Sequence, residues 1–341
     1  MVTVRGGKER HNMAVIEVKN LAKDYIVDKK KSGFKAAVAG LFYRKKETIH
    51  AVSDISFSIA QGDIVGFIGP NGSGKSTTIK MMSGILRPTS GTIRIKGMDP
   101  QIERKQVVKD LGVVFGQRSQ LYWDLRLGES FELMKRIYQI DDGVYRDNLA
   151  LMDELLKINE IIDKPVRLMS LGQRMRGDLA AAVLHSPSII FLDEPTIGLD
   201  IDAKQSIRKF IRDINRTRKT TVILTTHDLD DIQELCERII IINKGKIIED
   251  GSLDSLIGKI SPIRRLIIDL YEECPEICHP TARVIKNEGA RVCFEFNKSD
   301  MSASQLIADI SNIVKIRDLS LEEPDIEDII KTIYHSEQAP T

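Results

Sequence analysis

The 341-residue chain lacks any run of about 18 consecutive apolar residues, the length that a membrane-spanning helix requires. It has four cysteines and one tryptophan, and aromatic residues make up only 5% of it. So few cysteines exclude a disulfide framework and fit a reducing compartment. With 50 Lys and Arg against 49 Asp and Glu, the chain is not a generally basic nucleic-acid binder. No signal peptide opens the sequence, so we expect any membrane role to depend on a partner or a surface contact.

The remaining composition is that of a folded globular chain, with 42% hydrophobic and 29% charged residues. Its length predicts about two domains. Charge is distributed unevenly, because residues 29–46 contain seven bases and no acid, whereas residues 262–341 contain fifteen acids and nine bases. We therefore expect the acidic C-terminal part to be a separate module, with a boundary near Gly251–Pro262.

Hydrophobic patterning in the larger, N-terminal part predicts strands that alternate with helices. Helical spacing begins at Lys75 and continues to about Leu86, and it recurs throughout residues 128–160. Strands in the alternating pattern or in continuous apolar runs are predicted at 14–18, 51–59, 64–68, 188–192, 221–224 and 238–242. The continuous runs are typical of strands buried on both faces of a parallel sheet. This order predicts an α/β fold.

The C-terminal part has a different pattern. An Asn287–Glu288–Gly289 turn joins two short apolar strands and predicts a hairpin. Strands are predicted at 265–270, 282–285, 292–296 and 314–319, and helices at 302–311 and 325–334. Strands and helices in this order predict a small α+β domain.

A glycine-rich segment lies between the apolar run 64–68 and the helix that begins at Lys75. It fits the pattern G-x-x-x-x-G-K-[ST] with the residues Gly69, Pro70, Asn71, Gly72, Ser73, Gly74, Lys75 and Ser76, followed by Thr77. Glycines in this pattern let backbone N–H groups face a phosphate, the lysine adds a cation, and the hydroxyl can ligate Mg²⁺. The strand–loop–helix context favours a phosphate-binding loop over an ordinary glycine-rich turn.

Two carboxylates follow the apolar run 188–192, namely Asp193 and Glu194. An aspartate at the tip of a buried strand beside a phosphate loop can hold Mg²⁺ through water. The adjacent glutamate can accept a proton from an attacking water as a general base. The alternative, an exposed acidic turn, is less favoured because ligands bind at this edge of parallel sheets.

Further residues complete a recognisable series of motifs. They are Tyr25, Gln117, Ser170, Leu171, Gly172, Gln173, Asp200 and His227. In this order the chain resembles the nucleotide-binding subunit of ATP-binding-cassette (ABC) transporters from about Ala14 to Gly251. Tyr25 matches the adenine-stacking aromatic, Gln117 the Q-loop, and His227 the switch histidine. Residues 170–173 match the signature motif, and Asp200 belongs to the D-loop at 197–200.

The resemblance implies a P-loop cassette with a RecA-like parallel core, an antiparallel β subdomain and a helical subdomain, followed by a small α+β domain. It implies ATP and Mg²⁺ as ligands, with Glu194, His227 and Gln117 as catalytic residues. The metal ligands would be Ser76, Gln117 and Asp193. The signature motif would complete the site of a second copy or of a homologous ATPase subunit. The dimer would associate with integral membrane permease subunits at the cytoplasmic face of the membrane, without nucleic acid.

The resulting domain organisation is a loose segment at 1–13, a cassette at 14–255 and an accessory domain at 256–341. Within the cassette, residues 28–48 form a basic insert, and the helical subdomain spans about 118–186. If the insert is a helix, its apolar residues fall on one face and its bases would suit an anionic membrane surface. A solvated basic loop explains the segment equally well.

Several alternatives stay open in the sequence. The signature has Leu171 where the family usually has glycine, which would either weaken the site or merely repack it. The chain resembles exporters of the daunorubicin-resistance class, with an importer ATPase or a non-transport ABC ATPase as alternatives. Tyr122 and Trp123 would dock a permease or pack as an ordinary aromatic pair. A zinc cluster in the C-terminal part is disfavoured by its spacing, and we expect reduced thiols with Cys293 buried instead.

Overall fold

The computed structural model describes residues 14–28, 46–116, 118–226, 228–253, 255–256, 263–274 and 277–322. Segment 1–13, the centre of the basic insert, Gln117, His227 and the helix predicted at 325–334 lie outside the described residues. The chain divides into two compact units, Met1–Asp250 and Gly251–Thr341. Each unit has a hydrophobic core of its own.

The strands up to the boundary of the two units are β1 (Ala14–Asp28), β2 (Lys46–Ala60), β3 (Ile64–Ile68), β4 (Ser90–Ile95), β5 (Leu111–Phe115), β6 (Ile189–Asp193), β7 (Thr221–Thr225), β8 (Arg238–Asn243) and β9 (Lys246–Ser252). Six of them form a central sheet in the order β5-β6-β7-β3-β8-β9, in which β5, β6, β7, β3 and β8 run parallel. Their continuous apolar runs are buried on both faces, as the sequence predicts.

A second, antiparallel sheet has the order β2-β1-β4. The β1–β2 hairpin is longer than the pattern predicts, since β1 continues to Asp28 and β2 begins at Lys46. Bulges at several points shift the register, and Asn20 and Asp54 adopt positive φ there. These shifts interrupt the alternation on which the prediction depended. Apolar side chains from this sheet and from the central sheet share one core.

The helices of the first unit are α1 (Lys75–Met82), α2 (Arg104–Lys109), α3 (Leu127–Tyr138), α4 (Asp142–Leu156), α5 (Leu171–Val183), α6 (Ile201–Arg218) and α7 (Leu229–Leu235). Helical spacing over 128–160 is therefore interrupted. Gln139 ends α3 with φ 54°, and Asp141 caps α4 by accepting a hydrogen bond from Gly143 N at 2.8 Å. Similarly, α1 ends before Gly84, whose φ is 70°, rather than at Leu86.

The second unit contains a four-stranded antiparallel sheet and a nine-residue helix. Its elements are β10 (Ile263–Leu270), β11 (Ala282–Asn287), β12 (Arg291–Asn297), α8 (Ala303–Ser311) and β13 (Ile316–Glu322). The strand order is β11-β12-β10-β13, and β11 and β12 form the predicted hairpin. Leu266, Phe294 and Leu306 lie fully buried in the core between the sheet and α8. The expected α+β class is confirmed.

The helices in the described part of the chain all fall short of the length and hydrophobicity of a membrane span. The expected parallel core, antiparallel sheet and helical region are all present in the first unit.

Candidate functional site

The glycine-rich loop can curl between β3 and α1 because two of its glycines lie where there is no room for a side chain. A Cβ atom at Gly69 would lie 2.2 Å from Ile242 O, and one at Gly74, where φ is 111°, would lie 2.6 Å from Ala51 O. Gly72 also has a positive φ, 82°, but a Cβ there would meet nothing within 4 Å. The loop is thus fixed on the side of the sheet and open on the other.

Lys75 begins α1 and turns its side chain into the loop. Its Nζ donates hydrogen bonds to Gly69 O at 2.6 Å and to Pro70 O at 3.2 Å. Burial lowers the pKa of Lys75, and the charges of Glu194 and Asp193 oppose this shift. The N-cap residue of α1 is Gly74, which has no side chain to cap the helix. The first-turn N–H groups of α1 and the Lys75 ammonium together make this end of the helix suitable for an anion.

The Asp193 carboxylate lies at the carboxyl end of β6, next to the start of α1. Its Oδ1 accepts hydrogen bonds from Ser76 Oγ at 3.1 Å and from Thr225 Oγ1 at 2.6 Å. Glu194 follows with φ 57°, a left-handed conformation that costs a non-glycine residue about 1–3 kcal/mol. The Glu194 N–H donates to Thr225 O at 2.9 Å and to Thr225 Oγ1 at 3.1 Å, which holds that conformation.

Gly116 holds the start of the Q-loop against the same strand end. Its N–H donates to Asp193 O at 2.7 Å, and a Cβ atom there would lie 2.4 Å from Glu194 O. Only glycine permits this approach, and it brings the chain to the edge of the site immediately before Gln117. Gln117 itself lies outside the described residues.

An open cavity of about 1000 Å³ runs along these groups. Its lining residues are Gly69, Pro70, Asn71, Gly72, Ser76, Lys80, Ile85, Phe115, Gly116, Arg118, Asp193, Glu194 and Ile197. The Ser76 hydroxyl and the Asp193 carboxylate are hard oxygen donors of the kind that Mg²⁺ prefers. The open cradle at Gly72 and the cation at Lys75 suit phosphate groups. The residues present therefore fit a nucleotide with a divalent cation.

The signature residues form the N-terminus of α5. Ser170 is the N-cap, and its Oγ accepts a hydrogen bond from Gln173 N at 3.2 Å, while Gln173 Oε1 accepts one from Ser170 N at 3.2 Å. These two reciprocal hydrogen bonds form a capping box. Lys164 Nζ donates to the same Gln173 Oε1 at 2.8 Å. Both polar signature side chains are therefore held by the helix end itself.

The D-loop packs against the signature motif of the same chain. Leu171 Cδ2 would lie 3.2 Å from a Cβ atom at Gly198, which has φ 71°, and the Leu171 side chain is 42% exposed. A Cβ atom at Gly172 would lie 3.4 Å from Ala203 Cβ. Asp200 caps α6 and accepts a hydrogen bond from Ala203 N at 2.8 Å. The unusual leucine thus contacts the glycine of the D-loop.

A buried polar cluster includes the residues on either side of His227 in the sequence. Asp231 is fully buried and accepts hydrogen bonds from Arg208 Nε at 2.6 Å, from Thr196 Oγ1 at 2.5 Å and from Thr226 Oγ1 at 2.9 Å. Arg208 also donates to Asp228 Oδ1 at 3.2 Å. Thr226 and Asp228 flank His227, which itself lies outside the described residues. The cluster therefore fixes both neighbours of that histidine.

Tyr25 lies on the β1–β2 hairpin and is 38% exposed. It pairs with Ile49, two residues before Ala51, whose carbonyl oxygen approaches Gly74 of the phosphate loop. Two strand residues span about 7 Å. Lys23 Nζ lies 5.4 Å from the centroid of the Tyr25 ring. This position suits an aromatic beside the loop, and stacking on adenine stays a prediction.

Other sequence-based expectations fall elsewhere. Tyr122 and Trp123 are 47% and 53% exposed rather than packed in a core, and Arg174 lies over the Trp123 ring at 4.7 Å. Cys293 is half-buried rather than buried, because its side chain points away from the core face of β12. The four cysteines are free, and within the described ranges no group of three or more His, Cys, Asp or Glu side chains is placed to hold a metal ion.

Sequence reasoning missed Thr225, Gly116 and Asp231. A threonine at the end of an apolar strand is indistinguishable from an ordinary strand-forming residue. Asp231 resembles any acid in the first turn of a helix. Gly116 carried a signal, since a glycine between a buried strand and a motif glutamine indicates a close backbone approach.

The fold and the site together define a P-loop nucleotide-binding protein. The family model described as "ABC transporter" matches residues 52–197. They include the phosphate loop at 69–76 (the Walker A motif), the signature motif, and the carboxylates Asp193 and Glu194 that end the Walker B strand. The chain is 33% identical over 215 residues to the ABC transporter ATP-binding protein NatA of Bacillus subtilis, covering 63% of this chain and 87% of NatA.

Two further relatives are named for different functions, resistance and import. The linearmycin resistance ATP-binding protein LnrL of Bacillus subtilis is 33% identical over 215 residues, covering 63% of this chain and 68% of that protein. The methionine import ATP-binding protein MetN of Latilactobacillus sakei is 29% identical over 279 residues, covering 78% and 79%.

A solved structure has the same fold. The dimeric post-hydrolysis structure of the ATP-binding cassette MJ0796 bound to ADP and Pi superposes with a TM-score of 0.57 at 26% identity, covering 70% of this chain and 98% of that one. The chain belongs to the ATP-binding subunits of ABC transporters. Its reaction is ATP hydrolysis coupled to transport, and its cassette binds ATP.

Proposed function

We propose that two copies of this chain bind ATP between them, close on it, and open after hydrolysis to drive export through separate integral membrane permeases. The subunit would be bound peripherally at the cytoplasmic face of the membrane through those permeases. The observation that carries the proposal is the meeting of the two Walker motifs: Asp193 Oδ1 lies 3.1 Å from Ser76 Oγ, with Glu194 next in the chain. Both motifs line one cavity.

The chain's own residues divide the chemistry among them. Lys75 and the N–H groups of the first turn of α1 would bind the phosphates. Ser76 and Asp193 would hold Mg²⁺, together with Gln117, and the bound metal would neutralise charge on the phosphate oxygens. Glu194 would accept the proton of the attacking water. His227 would contact the γ-phosphate, an assignment that depends on the sequence motif.

The signature motif would serve the neighbouring copy. Its capping box holds Ser170 and Gln173 at the N-terminus of α5, where the helix dipole favours an anion. The dimeric arrangement of the solved cassette MJ0796 supports an arrangement of two copies. Ser170, Leu171, Gly172 and Gln173 would then face the γ-phosphate held by the partner.

The Glu194→Gln variant tests the proposal. Loss of the general base should lower ATP turnover by about 10²–10⁴-fold, while binding groups remain, so that ATP traps a dimer. Turnover and size-exclusion chromatography with and without ATP measure the two effects. Glu237→Gln, at an exposed glutamate outside the cavity, serves as the control and should match the parent. Hydrolysis by Glu194→Gln at the parent rate would refute the assignment.

The direction of transport has support on both sides. The similarity to the linearmycin resistance protein LnrL favours export, and the similarity to the methionine import protein MetN makes import the second candidate. Co-purification from membranes with a multi-span protein tests the partner. In inside-out vesicles that contain both, ATP-driven accumulation of a substrate indicates export, whereas accumulation in right-side-out vesicles indicates import.

A further inference from the structure

Strand β7 separates the two strands that carry the site. In the central sheet it lies between β6, which ends at Asp193, and β3, which leads into the phosphate loop. Its last residue, Thr225, pairs with Asp193 across the parallel ladder and is completely buried. A hydroxyl at this point is therefore enclosed beside the Walker B carboxylate.

The hydroxyl of Thr225 joins two atoms that the proposed reaction requires. It donates to Asp193 Oδ1 at 2.6 Å and accepts from Glu194 N at 3.1 Å. We propose that Thr225 is a positioning residue, whose hydroxyl orients the Asp193 carboxylate for the metal and the Glu194 backbone for proton abstraction. This inference rests on the proposed function of the site.

A comparison with Ser76 explains why the contact matters. Both hydroxyls donate to the same Asp193 oxygen, Ser76 at 3.1 Å and Thr225 at 2.6 Å. In the proposed function the Ser76 hydroxyl is itself a metal ligand. In the proposed function Thr225 is not a metal ligand. Its hydrogen bond therefore keeps the Asp193 carboxylate oriented while that carboxylate holds the metal.

The Glu194 contact acts on a strained residue. The backbone of Glu194 has φ 57°, and its N–H is shared between the carbonyl and the hydroxyl oxygen of Thr225. A left-handed residue that is not glycine persists only where its surroundings determine it. The Thr225 hydroxyl is one of those determinants, and it acts immediately next to the catalytic side chain.

The neighbouring threonine has a different partner. Thr226 donates to Asp231, on the other side of the strand end, because successive side chains of a strand point in opposite directions. The general preference of strands for threonine therefore does not account for the contacts of the Thr225 hydroxyl, because its neighbour Thr226 makes different ones. A suitable control lies on the same strand: Thr221 is also completely buried, and its Oγ1 accepts a hydrogen bond from Gly62 N at 2.9 Å.

The test compares Thr225→Val, Thr225→Ser and Thr221→Val with the parent chain. Valine keeps the branched shape and removes the hydroxyl, and serine restores the hydroxyl. Because hydrogen bonds to charged groups are the strong ones, we expect Thr225→Val to lower kcat about 10–100-fold with little change in KM. Binding of Mn²⁺ in the presence of a non-hydrolysable ATP analogue, followed by electron paramagnetic resonance, should weaken by a similar factor. Thr225→Ser should recover most of both.

Thr221→Val reports the cost of deleting a buried hydroxyl on this strand, and its kcat and Mn²⁺ affinity should stay near those of the parent. The inference is overturned if Thr225→Val changes kcat and Mn²⁺ affinity no more than Thr221→Val does. It is also overturned if Thr225→Ser fails to recover them. Parent turnover and Glu194→Gln, measured in parallel, decide the proposed function separately, because Mn²⁺ binding is read without hydrolysis.

Discussion

At the residue scale, His185 is a half-buried titratable group outside the site. Its ring stacks on Tyr138, with centroids 4.1 Å apart, and its Nε2 makes a hydrogen bond with Leu111 O at 3.0 Å. Burial lowers the pKa of His185 from 6.5 to about 4. The first unit therefore folds around a neutral imidazole, and protonation opposes folding.

The sign of the pH dependence follows from this shift. Between pH 6.5 and about 4 the unfolded chain binds a proton that folded His185 does not, so stability falls as the pH falls through this window. The full effect is about 3 kcal/mol. We expect His185→Phe, which keeps a ring against Tyr138, to reduce the stability loss between about pH 7.5 and pH 4.5 in urea unfolding experiments. Parallel pH profiles for parent and variant would contradict this.

Several residues of the site could be predicted and others could not. The meeting of Ser76 with Asp193 was foreseeable because both follow buried parallel strands, whose carboxyl ends share one edge. The contact of Thr225 with Asp193 could not be foreseen, since a threonine in an apolar run looks like any strand-forming residue. Its function depends on the carboxylate oxygen of the neighbouring strand that lies beside it. The roles of Gln117 and His227 stay predictions.

At the scale of elements, the N-terminus of α5 does two things in one short segment. Its capping box satisfies two N–H groups of the helix, and the same residues form the signature motif. In the second unit, Ser302 caps α8 by accepting a hydrogen bond from Gln305 N at 3.2 Å. The two serines therefore make the same local contact, although only Ser170 belongs to a motif.

This pair of serines gives a matched test. Ser170→Ala and Ser302→Ala should each cost about 1 kcal/mol in the unfolding of their own unit, since each removes an N-cap. Only Ser170→Ala should also lower ATP turnover and ATP-induced dimerisation of the chain. Circular dichroism melts and an ATPase assay measure these effects. An equal loss of turnover in both variants would show that capping alone is responsible.

The positions of elements were better predicted than their ends. Strands β3, β7 and β8 begin at the predicted residues, because uninterrupted apolar runs leave little choice. The break between α3 and α4 was missed although Asp141 is a good N-cap residue, since apolar periodicity continues on both sides of it. The length of β1 was missed because bulges change which side chains face the core.

At the scale of the whole molecule, the two units have separate hydrophobic cores. The core of the first unit takes its members from residues 15–247, and that of the second from residues 266–316. Strand β9, at the edge of the central sheet, begins in the first unit and ends at Ser252, two residues past Asp250. The residues that line the candidate site all belong to the first unit.

A shortened chain tests this separation. A chain that ends after Ser252 should bind a fluorescent ATP analogue with an affinity within about threefold of the parent, because it keeps a whole core and the whole site. A chain that ends after Leu235 should not fold, since it lacks β8, the neighbour of β3. Fluorescence titration and circular dichroism measure binding and folding. Loss of binding in the longer variant would refute the prediction.

The buried polar cluster around Asp231 should be insensitive to the salt concentration. Thr196 before the D-loop and Thr226 before the switch histidine both donate to this one carboxylate, so neither segment can shift without Asp231 following or a bond breaking. Asp231 is completely buried and Arg208 is only 5% exposed. Dissolved ions screen charges in water and have little access to such a pair. The hydrogen bonds that join the two segments through Asp231 should therefore persist at ionic strengths that weaken the exposed ion pairs of the chain.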